Sequence, residues 1–408
     1  MLTSHHSKLA DLLAAYKQDC LHQLSDILRY WQDIAVDTVF GGFYGKVSNS
    51  NEVFPTAPKG VVLNSRILWS FSAAFNLTAD RGYLSLAQRA FGYMEDHFID
   101  KENKGVFWSV DYTGRPLDTK KQIYALSFAI YGLSEFFVAT GNEKARQYAV
   151  ELFHTIVQYS YDTVYGGYIE ALSADWKQIK DLRLSLKDAN EKKSMNTHLH
   201  VLEGFAHLYK IWPEPDLKAR IEELIQIFLE RIANKATHHL GLFFAENWDV
   251  KSSRVSYGHD IEAAWLLQDA SEIVGDPDGI LQVKTWSVKV ALAAAEGLDQ
   301  DGGLWYEFDP VRSLLIKEKH WWPQAESMVG FFNCWQITQD DVFLKQSMGS
   351  WQFIRDYLLD RANGEWFWGV DAWYRPMEED KVGIWKCPYH NTRACIEIVK
   401  RINSIDSR

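Results

Sequence analysis

One short signature recurs six times along this chain. Each copy begins with Asp or Asn, continues to a Gly and ends in aromatic residues; the copies start at Asp37, Asp100, Asp162, Asn234, Asp299 and Asp360. Successive starts are 63, 62, 72, 65 and 61 residues apart. Asp or Asn followed by Gly is typical of a tight turn, and the aromatic residues after it favour a short strand. Such a period indicates one structural unit copied six times.

Two stretches with helical periodicity lie between successive signatures, as in residues 63–77 and 83–98. The sixth pair lacks its second helix, so we expect the long N-terminal helix, about residues 4–32, to complete it and close a ring. The sequence therefore predicts an all-α fold, an (α/α)6 barrel of twelve helices with short β-hairpins in the connecting loops. We expect residues 1–408 to form it as a single domain.

Charge and cysteine content limit the class of protein. The formal net charge is -11 and no basic stripe is present, which argues against nucleic-acid binding. The cysteines are scattered without a disulfide framework and are interpreted as reduced thiols. No apolar leader occurs within residues 1–28, and no apolar stretch long enough for a membrane span is expected. We therefore expect a soluble cytoplasmic protein, a monomer or a weak homodimer, with no membrane partner.

Aromatic residues are abundant, with 17 Trp, 19 Tyr and 22 Phe. Core packing accounts for most of them. Many of the tryptophans nevertheless stand beside Gly, Asp or His in predicted loops: Trp108, Trp248, Trp305, Trp321, Trp322, Trp366, Trp368, Trp373 and Trp385. Exposed loop aromatics suit stacking on the apolar faces of sugar rings, so the sequence favours a carbohydrate ligand.

Polar residues mark the predicted N-terminal end of every inner helix. They are Arg66, Tyr124, Asn196 with His198 and His200, His259 with Glu262, Gln324 with Glu326, and His390. Their convergence predicts a site at one mouth of the barrel. His198 and His200 are two residues apart, so only one should face the cavity. His259 and Glu262 are three apart, so we expect them to touch and the carboxylate to raise the imidazole pKa.

A zinc site is one alternative interpretation of these histidines. A catalytic zinc ion needs about three ligands and an open position, and His200, His259 and His390 can supply three. The chain has no HExxH motif and no Rossmann or P-loop glycine pattern, so no organic cofactor is expected. His238 and His239 fall in a predicted turn and are expected to be exposed.

Two reaction classes suit a sugar-binding barrel. A glycoside hydrolase needs two carboxylates that flank the scissile bond, and Asp188, Glu262 and Glu326 are candidates. The predicted mouth is instead dominated by histidine and arginine. Two histidines on opposite faces of a carbon, with an arginine to stabilise an enediolate, suit epimerisation or isomerisation next to a carbonyl.

Six blocks of the sequence resemble the N-acylglucosamine 2-epimerase superfamily, and within it the cellobiose 2-epimerases. They are Leu63–Trp69, Tyr124–Tyr131, Ser194–Glu203, Tyr257–Glu262, His320–Glu326 and Trp385–His390. The resemblance covers nearly the whole chain and implies an (α/α)6-barrel catalytic domain that needs no metal. One departure is Cys387, where the family pattern has a small residue such as Gly.

The resemblance also implies roles for individual residues. His390 would remove the C2 proton of the reducing-end sugar, and His259, backed by Glu262, would return one to the opposite face. Arg66 would hold the two oxygens of a cis-enediolate, and His200 would aid ring opening. Substrate binding would fall to Tyr124, Asp188, Asn196, Trp322, Glu326 and Trp385.

The substrate is left open by the sequence. Asp188 and the Trp321–Trp322 pair favour a β-1,4 disaccharide such as cellobiose or lactose, with the loop 177–193 shaping the second subsite. The alternative is a monosaccharide 2-epimerase or isomerase acting on mannose, glucose or N-acylglucosamine. A sugar-binding protein without catalysis is disfavoured by the pair His259 and His390.

Overall fold

The computed structural model describes residues 2–406 of the chain, and its α-helices follow the predicted repeat. The helices are α1 (Leu2–Asp33), α2 (Val61–Thr78), α3 (Arg81–Tyr93), α4 (Ile123–Thr140), α5 (Glu143–Ser160), α6 (Met195–Tyr209), α7 (Pro215–Ile227), α8 (Tyr257–Val274), α9 (Pro277–Ala294), α10 (Trp321–Thr338), α11 (Asp341–Phe353) and α12 (Tyr389–Asp406). The helices α3, α7 and α11 each end in one π-helical turn, and α9 ends in a 3-10 turn.

The even-numbered helices form a closed inner ring. Each packs on the next in the order α2, α4, α6, α8, α10 and α12, and α12 packs back on α2. The odd-numbered helices lie outside, and α1 packs on α12. The prediction of an (α/α)6 barrel is confirmed, as is the expectation that the N-terminal helix completes the sixth pair.

Helix α4 is apolar on every side because it lies between its inner neighbours and the outer layer. Its 18 residues have a mean hydropathy of 1.4, so by length and composition it is long and apolar enough to cross a membrane. The expectation that no stretch reaches this limit is therefore wrong. Within the barrel, 78% of that stretch is buried, and a helix buried all round shares the composition of a membrane span.

All six signatures fold into hairpins, as predicted. Each is closed by one antiparallel bridge: Val36 with Phe43, Ile99 with Val106, Tyr161 with Tyr168, Ala233 with Leu240, Leu298 with Leu304, and Leu359 with Trp366. Each hairpin follows an outer helix and leads toward the start of an inner one, so all six lie at the same end of the barrel.

Short strands join neighbouring repeats around this end. They are β1 (Lys59–Gly60), β2 (Ser109–Val110), β3 (Pro116–Asp118), β4 (Lys121–Gln122), β5 (Ala171–Leu172), β6 (Lys193–Ser194), β7 (Phe243–Phe244), β8 (Glu307–Asp309), β9 (Leu314–Ile316), β10 (Lys319–His320) and β11 (Gly369–Val370). The pairs β1–β2, β4–β5, β6–β7 and β10–β11 are antiparallel, and each links the strand before an inner helix to the following repeat. β3 extends the first pair, and β8–β9 form a separate hairpin.

An ion pair joins each of five hairpins to the segment that leads into an inner helix, and four of the five pairs are buried. In the second repeat, Oδ1 of Asp100 accepts backbone N–H groups of its own turn, while Oδ2 accepts from Nζ of Lys121 in β4 at 2.6 Å. The same pairing joins Asp37 to Lys59, Asp162 to Lys193, Asp299 to Lys319, and Asp360 to Lys381. The hairpin and the inner helix therefore keep a fixed relation at the mouth.

The fourth repeat lacks both charges of this pair. Asn234 stands in place of the Asp and Val255 in place of the Lys. The amide oxygen of Asn234 still accepts two backbone N–H groups of its turn, so the turn itself needs no charge. Both charged residues are replaced in this repeat because a buried charge without its partner would cost several kcal/mol of folding free energy.

A different contact holds the fourth hairpin to its inner helix. Oδ2 of Asp260 in α8 lies 2.7 Å from Nδ1 of His239, and Oδ1 accepts the backbone N–H of Leu240 at 2.9 Å. The His239 side chain is only 12% exposed, and His238 is half-buried. The expectation that both histidines are exposed is therefore wrong, because His239 serves the hairpin contact.

Replacing Lys121 by Met removes the cation of one pair and leaves Asp100 as an unpaired buried carboxylate. We expect Lys121→Met to lower the free energy of unfolding by about 3–5 kcal/mol. The double variant Asp100→Asn/Lys121→Met reproduces the uncharged pattern of the fourth repeat and should recover most of that loss. Urea denaturation followed by circular dichroism measures both variants. A double variant no more stable than the single one would contradict the role given to this pair.

Candidate active site

The sixth residue of four inner helices supplies the polar groups at the centre of the mouth. These residues are Arg66 in α2, His200 in α6, Glu262 in α8 and Glu326 in α10. All four are buried. Because the helices repeat around a ring, the same helical position reaches the same region from each of them.

His390, the second residue of α12, is held by a carboxylate. Its Nδ1 lies 2.6 Å from Oε1 of Glu326 and 3.9 Å from Oε1 of Glu262. An ionised carboxylate beside Nδ1 favours the tautomer with the proton on that nitrogen, which leaves Nε2 free to accept one. Burial, together with the charges of Arg66 and Arg393, holds the pKa of His390 well below its usual value. The ring is therefore neutral at neutral pH.

His259 in α8 is held by a serine. Its Nδ1 lies 2.8 Å from Oγ of Ser256, and burial with the neighbouring His200 lowers its pKa to about 3. Among the described residues Glu262 forms no hydrogen bond with His259. The expected contact and the expected rise of the pKa are both wrong. A spacing of three residues gives a shared side of the helix, but Glu262 turns inward to Arg393 at 2.6 Å.

A single indole borders both histidines. The Trp322 ring centroid lies 4.6 Å from that of His259 and 5.7 Å from that of His390. Trp322 is half-buried, so one part of its ring remains open to the mouth. The two imidazoles therefore border the same aromatic ring, on which a sugar ring can stack.

Arg66 is a buried cation without a carboxylate partner among the described residues. Its Nη2 donates to the Tyr124 hydroxyl at 2.7 Å, and its Nη1 lies 3.8 Å from Sγ of Cys387. The guanidinium also stacks on the rings of Phe128 and Tyr389 at 4.1 and 4.8 Å. A buried cation paired only with neutral groups favours an anion nearby, such as the oxygens of an enediolate.

His200 repeats the arrangement of His390. Its Nδ1 lies 2.8 Å from Oε2 of Glu203, and the Tyr124 ring meets it edge-on at 5.1 Å. Burial is the main cause that lowers the pKa of His200. Of the two histidines in this helix, His200 is the one that contacts Tyr124, whereas His198 accepts a backbone N–H. Nε2 of His200 is free to exchange a proton.

Arg393 in α12 joins the carboxylates behind these histidines. Its Nη2 lies 2.6 Å from Oε1 of Glu262 and 2.6 Å from Oε1 of Glu326, and its Nη1 contacts Oε1 of Glu203 and the Tyr389 hydroxyl. Sequence reasoning missed Arg393, Glu203, Tyr389 and also Ser256. The available signal was that buried carboxylates on neighbouring helices require a buried cation.

The three carboxylates differ in ionisation. Burial alone would raise the pKa of Glu203, but the charge of Arg393 and the His200 contact outweigh it and hold that pKa well below its usual range. Burial and then the neighbouring Glu326 raise the pKa of Glu262 well above its usual range. Burial raises the pKa of Glu326 as well, and the charge of Arg393 opposes that rise.

Glu262, Glu326 and His390 also place three possible metal-ligand atoms within 4.8 Å of one another. The Nη2 atom of Arg393 already lies within hydrogen-bond distance of both carboxylates, so the cation among them is a guanidinium. Glu326, expected to bind substrate, is instead fully buried beneath His390. Its partners are protein side chains, among them the indole N–H of Trp265 at 3.0 Å.

Three more of the expected binding residues are Asn196, Trp385 and Asp188. Oδ1 of Asn196 is buried and has no hydrogen-bond partner among the described residues. The half-buried Trp385 lies between Trp108 at 5.9 Å and Tyr124 at 6.2 Å. Asp188 accepts the backbone N–H of Ser185 at 2.9 Å, and burial raises its pKa.

Two polar residues assigned to the mouth have structural roles instead. Nε2 of His198 accepts the backbone N–H of Tyr168 at 2.9 Å, and Oε1 of Gln324 accepts that of Leu304 at 2.6 Å. His198 and Gln324 are each the fourth residue of their helix. At this position the side chain reaches the hairpin strand behind the helix rather than the cavity.

The tryptophans predicted to lie in loops divide into three groups by exposure. Trp248, Trp321 and Trp366 are buried, so packing explains them and their expected exposure is wrong. Trp373 is 74% exposed. The half-buried members are Trp108, Trp305, Trp322, Trp368 and Trp385.

Comparison with known proteins agrees with this geometry. The model of the N-acylglucosamine 2-epimerase family matches residues 42–394. The chain belongs to this family. A cellobiose 2-epimerase of Bacteroides fragilis is 48% identical over 94% of this chain and 98% of its own length. A cellobiose 2-epimerase of Dictyoglomus turgidum is 37% identical over 93% of this chain and 97% of its own.

A solved structure supports the fold of this N-acylglucosamine 2-epimerase family member. The cellobiose 2-epimerase of Bacillus thermoamylovorans superposes with a TM-score of 0.92 at 35% identity, covering 95% of this chain and 100% of that one. The barrel, the order of its helices and the position of its mouth are therefore those of the family.

The low pKa of His259 predicts that its ring stays neutral as the pH falls from 8 to 5. A group whose pKa is lowered to about 3 keeps its neutral form until the pH approaches that value. NMR of histidine labelled at Cε1, with the His259 signal assigned from His259→Asn, should show no titration over this range. A midpoint near 6.5 in the folded protein would contradict the burial assigned to this ring.

Proposed function

We propose that this chain is a cellobiose 2-epimerase. It inverts C2 of the reducing-end glucose of a β-1,4 disaccharide, converting cellobiose to glucosyl-mannose and lactose to epilactose. The observation that carries the proposal is that His259 and His390 both border Trp322, in a site that also holds Arg66, a buried cation without a carboxylate partner among the described residues. Its similarity to cellobiose 2-epimerases, at 48% identity for that of Bacteroides fragilis, supports the disaccharide.

The first proton transfer uses the free nitrogen of His390. Once the sugar ring is open, the C2 proton lies next to the aldehyde and becomes acidic. Nε2 of His390 takes this proton, and Glu326 at Nδ1 stabilises the imidazolium that forms. Arg66 stabilises the negative oxygens of the resulting cis-enediolate.

The second proton transfer uses His259 on the other side of the plane. Ser256 holds Nδ1 of His259 and so directs Nε2 toward the sugar. Neutral His259 takes a proton from solvent water at Nε2 and donates it to C2, and the negative charge of the enediolate favours that protonation. His390 returns the abstracted proton to solvent after the epimer leaves, which restores the resting state. In the reverse direction the two histidines exchange roles.

Substrate binding is proposed for groups left with free polar capacity. The unpartnered amide oxygen of Asn196 accepts a sugar hydroxyl, and Tyr124 and Trp385 border the reacting unit. Asp188, on the loop 177–193, binds the second glucosyl unit.

We also propose that residues 1–408 act as one catalytic domain. A location in the cytoplasm is proposed because all four cysteines are buried free thiols.

Hydrolysis is a weaker candidate for this site. A glycosidase needs two carboxylates on either side of the scissile bond. Glu262 and Glu326 instead share one arginine nitrogen beneath His390, so neither flanks a space in which a glycosidic bond can lie.

The substrate is tested by incubating the protein with cellobiose, lactose, mannose and N-acetylglucosamine in deuterium oxide. We expect deuterium at C2 and epimer formation with cellobiose and lactose, because the histidine protons exchange with solvent between turnovers. NMR of the products measures both. Activity on mannose or N-acetylglucosamine alone would favour the monosaccharide alternative. Release of free glucose from cellobiose would overturn the epimerase assignment.

In the structure His259 is hydrogen-bonded to Ser256 and not to Glu262, the partner expected from the sequence. A variant of Ser256 tests whether this contact matters for catalysis. Ser256→Ala leaves Nδ1 of His259 without its partner, and we expect kcat for cellobiose to fall by about 10-fold to 100-fold. Steady-state kinetics measures the change, with the exposed Ser85→Ala as the matched control. Unchanged kcat in Ser256→Ala would show that this hydrogen bond does not orient the ring.

A further inference from the structure

Arg393 contacts no group to which the proposed mechanism gives a proton transfer, yet it lies behind both His200 and His390. We propose that Arg393 is a positioning residue for the epimerisation. It fixes Glu203 and Glu326 so that His200 and His390 both keep a proton on Nδ1 and present Nε2 to the sugar. This inference rests on the proposed function and deepens it.

The planar guanidinium of Arg393 holds carboxylates from three other helices. Arg393 lies in α12 and reaches carboxylates from three other inner helices: Glu203 of α6, Glu262 of α8 and Glu326 of α10. Nη1 serves the first and Nη2 the other two. A guanidinium presents its donors in a rigid fork, so the directions of these carboxylates are fixed relative to one another.

Two of these carboxylates each contact the Nδ1 atom of a histidine. Oε2 of Glu203 lies 2.8 Å from Nδ1 of His200, and Oε1 of Glu326 lies 2.6 Å from Nδ1 of His390. Two histidines on different helices thus have the same support, a carboxylate held by the same arginine. An ionised carboxylate can only accept a hydrogen bond, so each Nδ1 must carry the proton.

The charge of Arg393 acts on His390 and on its neighbour Glu326. The titratable and charged groups that act on His390 come from four other inner helices and from its own: Arg66 of α2, His200 and Glu203 of α6, Glu262 of α8, Glu326 of α10, and Arg393 of α12. Arg393 lies against Glu203 and Glu326, and its charge lowers the pKa of both carboxyls. Loss of Arg393 removes the cation nearest to both, which then draw protons from solvent or from the histidines.

The Tyr389 hydroxyl contacts only one side of this group of charges, the side that supports His200. It donates to Oε1 of Glu203 and contacts Nη1 of Arg393, but it has no hydrogen bond to Glu262 or Glu326. The half of the array that supports His200 therefore depends on this hydroxyl, whereas the half that supports His390 does not. This asymmetry allows the two histidines to be perturbed separately.

The test compares Arg393→Lys and Tyr389→Phe with Arg401→Met in the full chain. Lysine keeps the charge but is a point cation that cannot hold three carboxylates in one plane. We expect kcat of Arg393→Lys for cellobiose to fall by about 10-fold or more, with KM changed by about 2-fold or less. Arg401 is the matched control, since it lies on the same helix and contacts none of the three carboxylates that Arg393 holds. It donates to Asn333 and Gln336 at 2.8 Å and lies 3.6 Å from Glu397.

Nitrogen-15 NMR of labelled histidine supplies a readout that a purely structural role would not change. In the wild type, His200 and His390 should show protonated Nδ1 and bare Nε2. We expect Arg393→Lys to give mixed tautomers at both rings, Tyr389→Phe to change His200 alone, and Arg401→Met to change neither. The acid limb of the kcat/KM profile should move to higher pH in Arg393→Met, since the arginine charge lowers the pKa of His390.

Wild-type kcat and unchanged tautomers in Arg393→Lys would overturn the proposal. If Arg393→Met does not fold, because it leaves buried carboxylates unpaired, Arg393→Lys and Tyr389→Phe still decide the question. Failure of the proposed function is a separate result, in which the wild type exchanges no C2 proton with any sugar tested. The nitrogen spectra report on Arg393 in that case as well.

Discussion

A carboxylate buried in a protein remains charged only where a cation is buried beside it, and the barrel meets this constraint at two levels. At the rim, pairs such as Asp100 with Lys121 fasten each hairpin to the start of an inner helix. The fourth repeat shows the same constraint by omission, because Asn234 and Val255 replace both charges together. The inner helices therefore begin at matching positions along the barrel axis. Side chains at the same helical position consequently come together at the mouth.

At the centre, the same constraint produces chemistry. Arg393 holds carboxylates that in turn hold imidazoles, so the nitrogens that face the cavity are the ones without a protein partner. Arg66 receives no carboxylate and remains available for an anion that exists only during turnover. In the proposed mechanism, the charges paired within the protein orient the histidines, and the unpaired charge of Arg66 stabilises the enediolate.

The repeat and the family motifs were sufficient to predict the ring, its closure by the N-terminal helix, and the presence of His259, His390 and Arg66 at the mouth. Contacts within the mouth were harder, because spacing along a helix defines a face and not a partner. His259 and Glu262 share a side of α8, yet Ser256 supports the histidine and an arginine over a hundred residues away binds the carboxylate. Polar residues at the fourth helical position looked like site residues for the same reason.

The closure of the ring by α1 and α12 has a consequence for synthesis on the ribosome. Helix α1 emerges before every other helix described here, and its partner α12 emerges after all of them. Until then the side of α1 that packs on α12 stays uncovered. The same late helix carries His390 and Arg393, so a nascent chain lacks both the proposed proton acceptor and the cation that contacts the buried acids. Closure of the ring and completion of the proposed site therefore arrive in a single event.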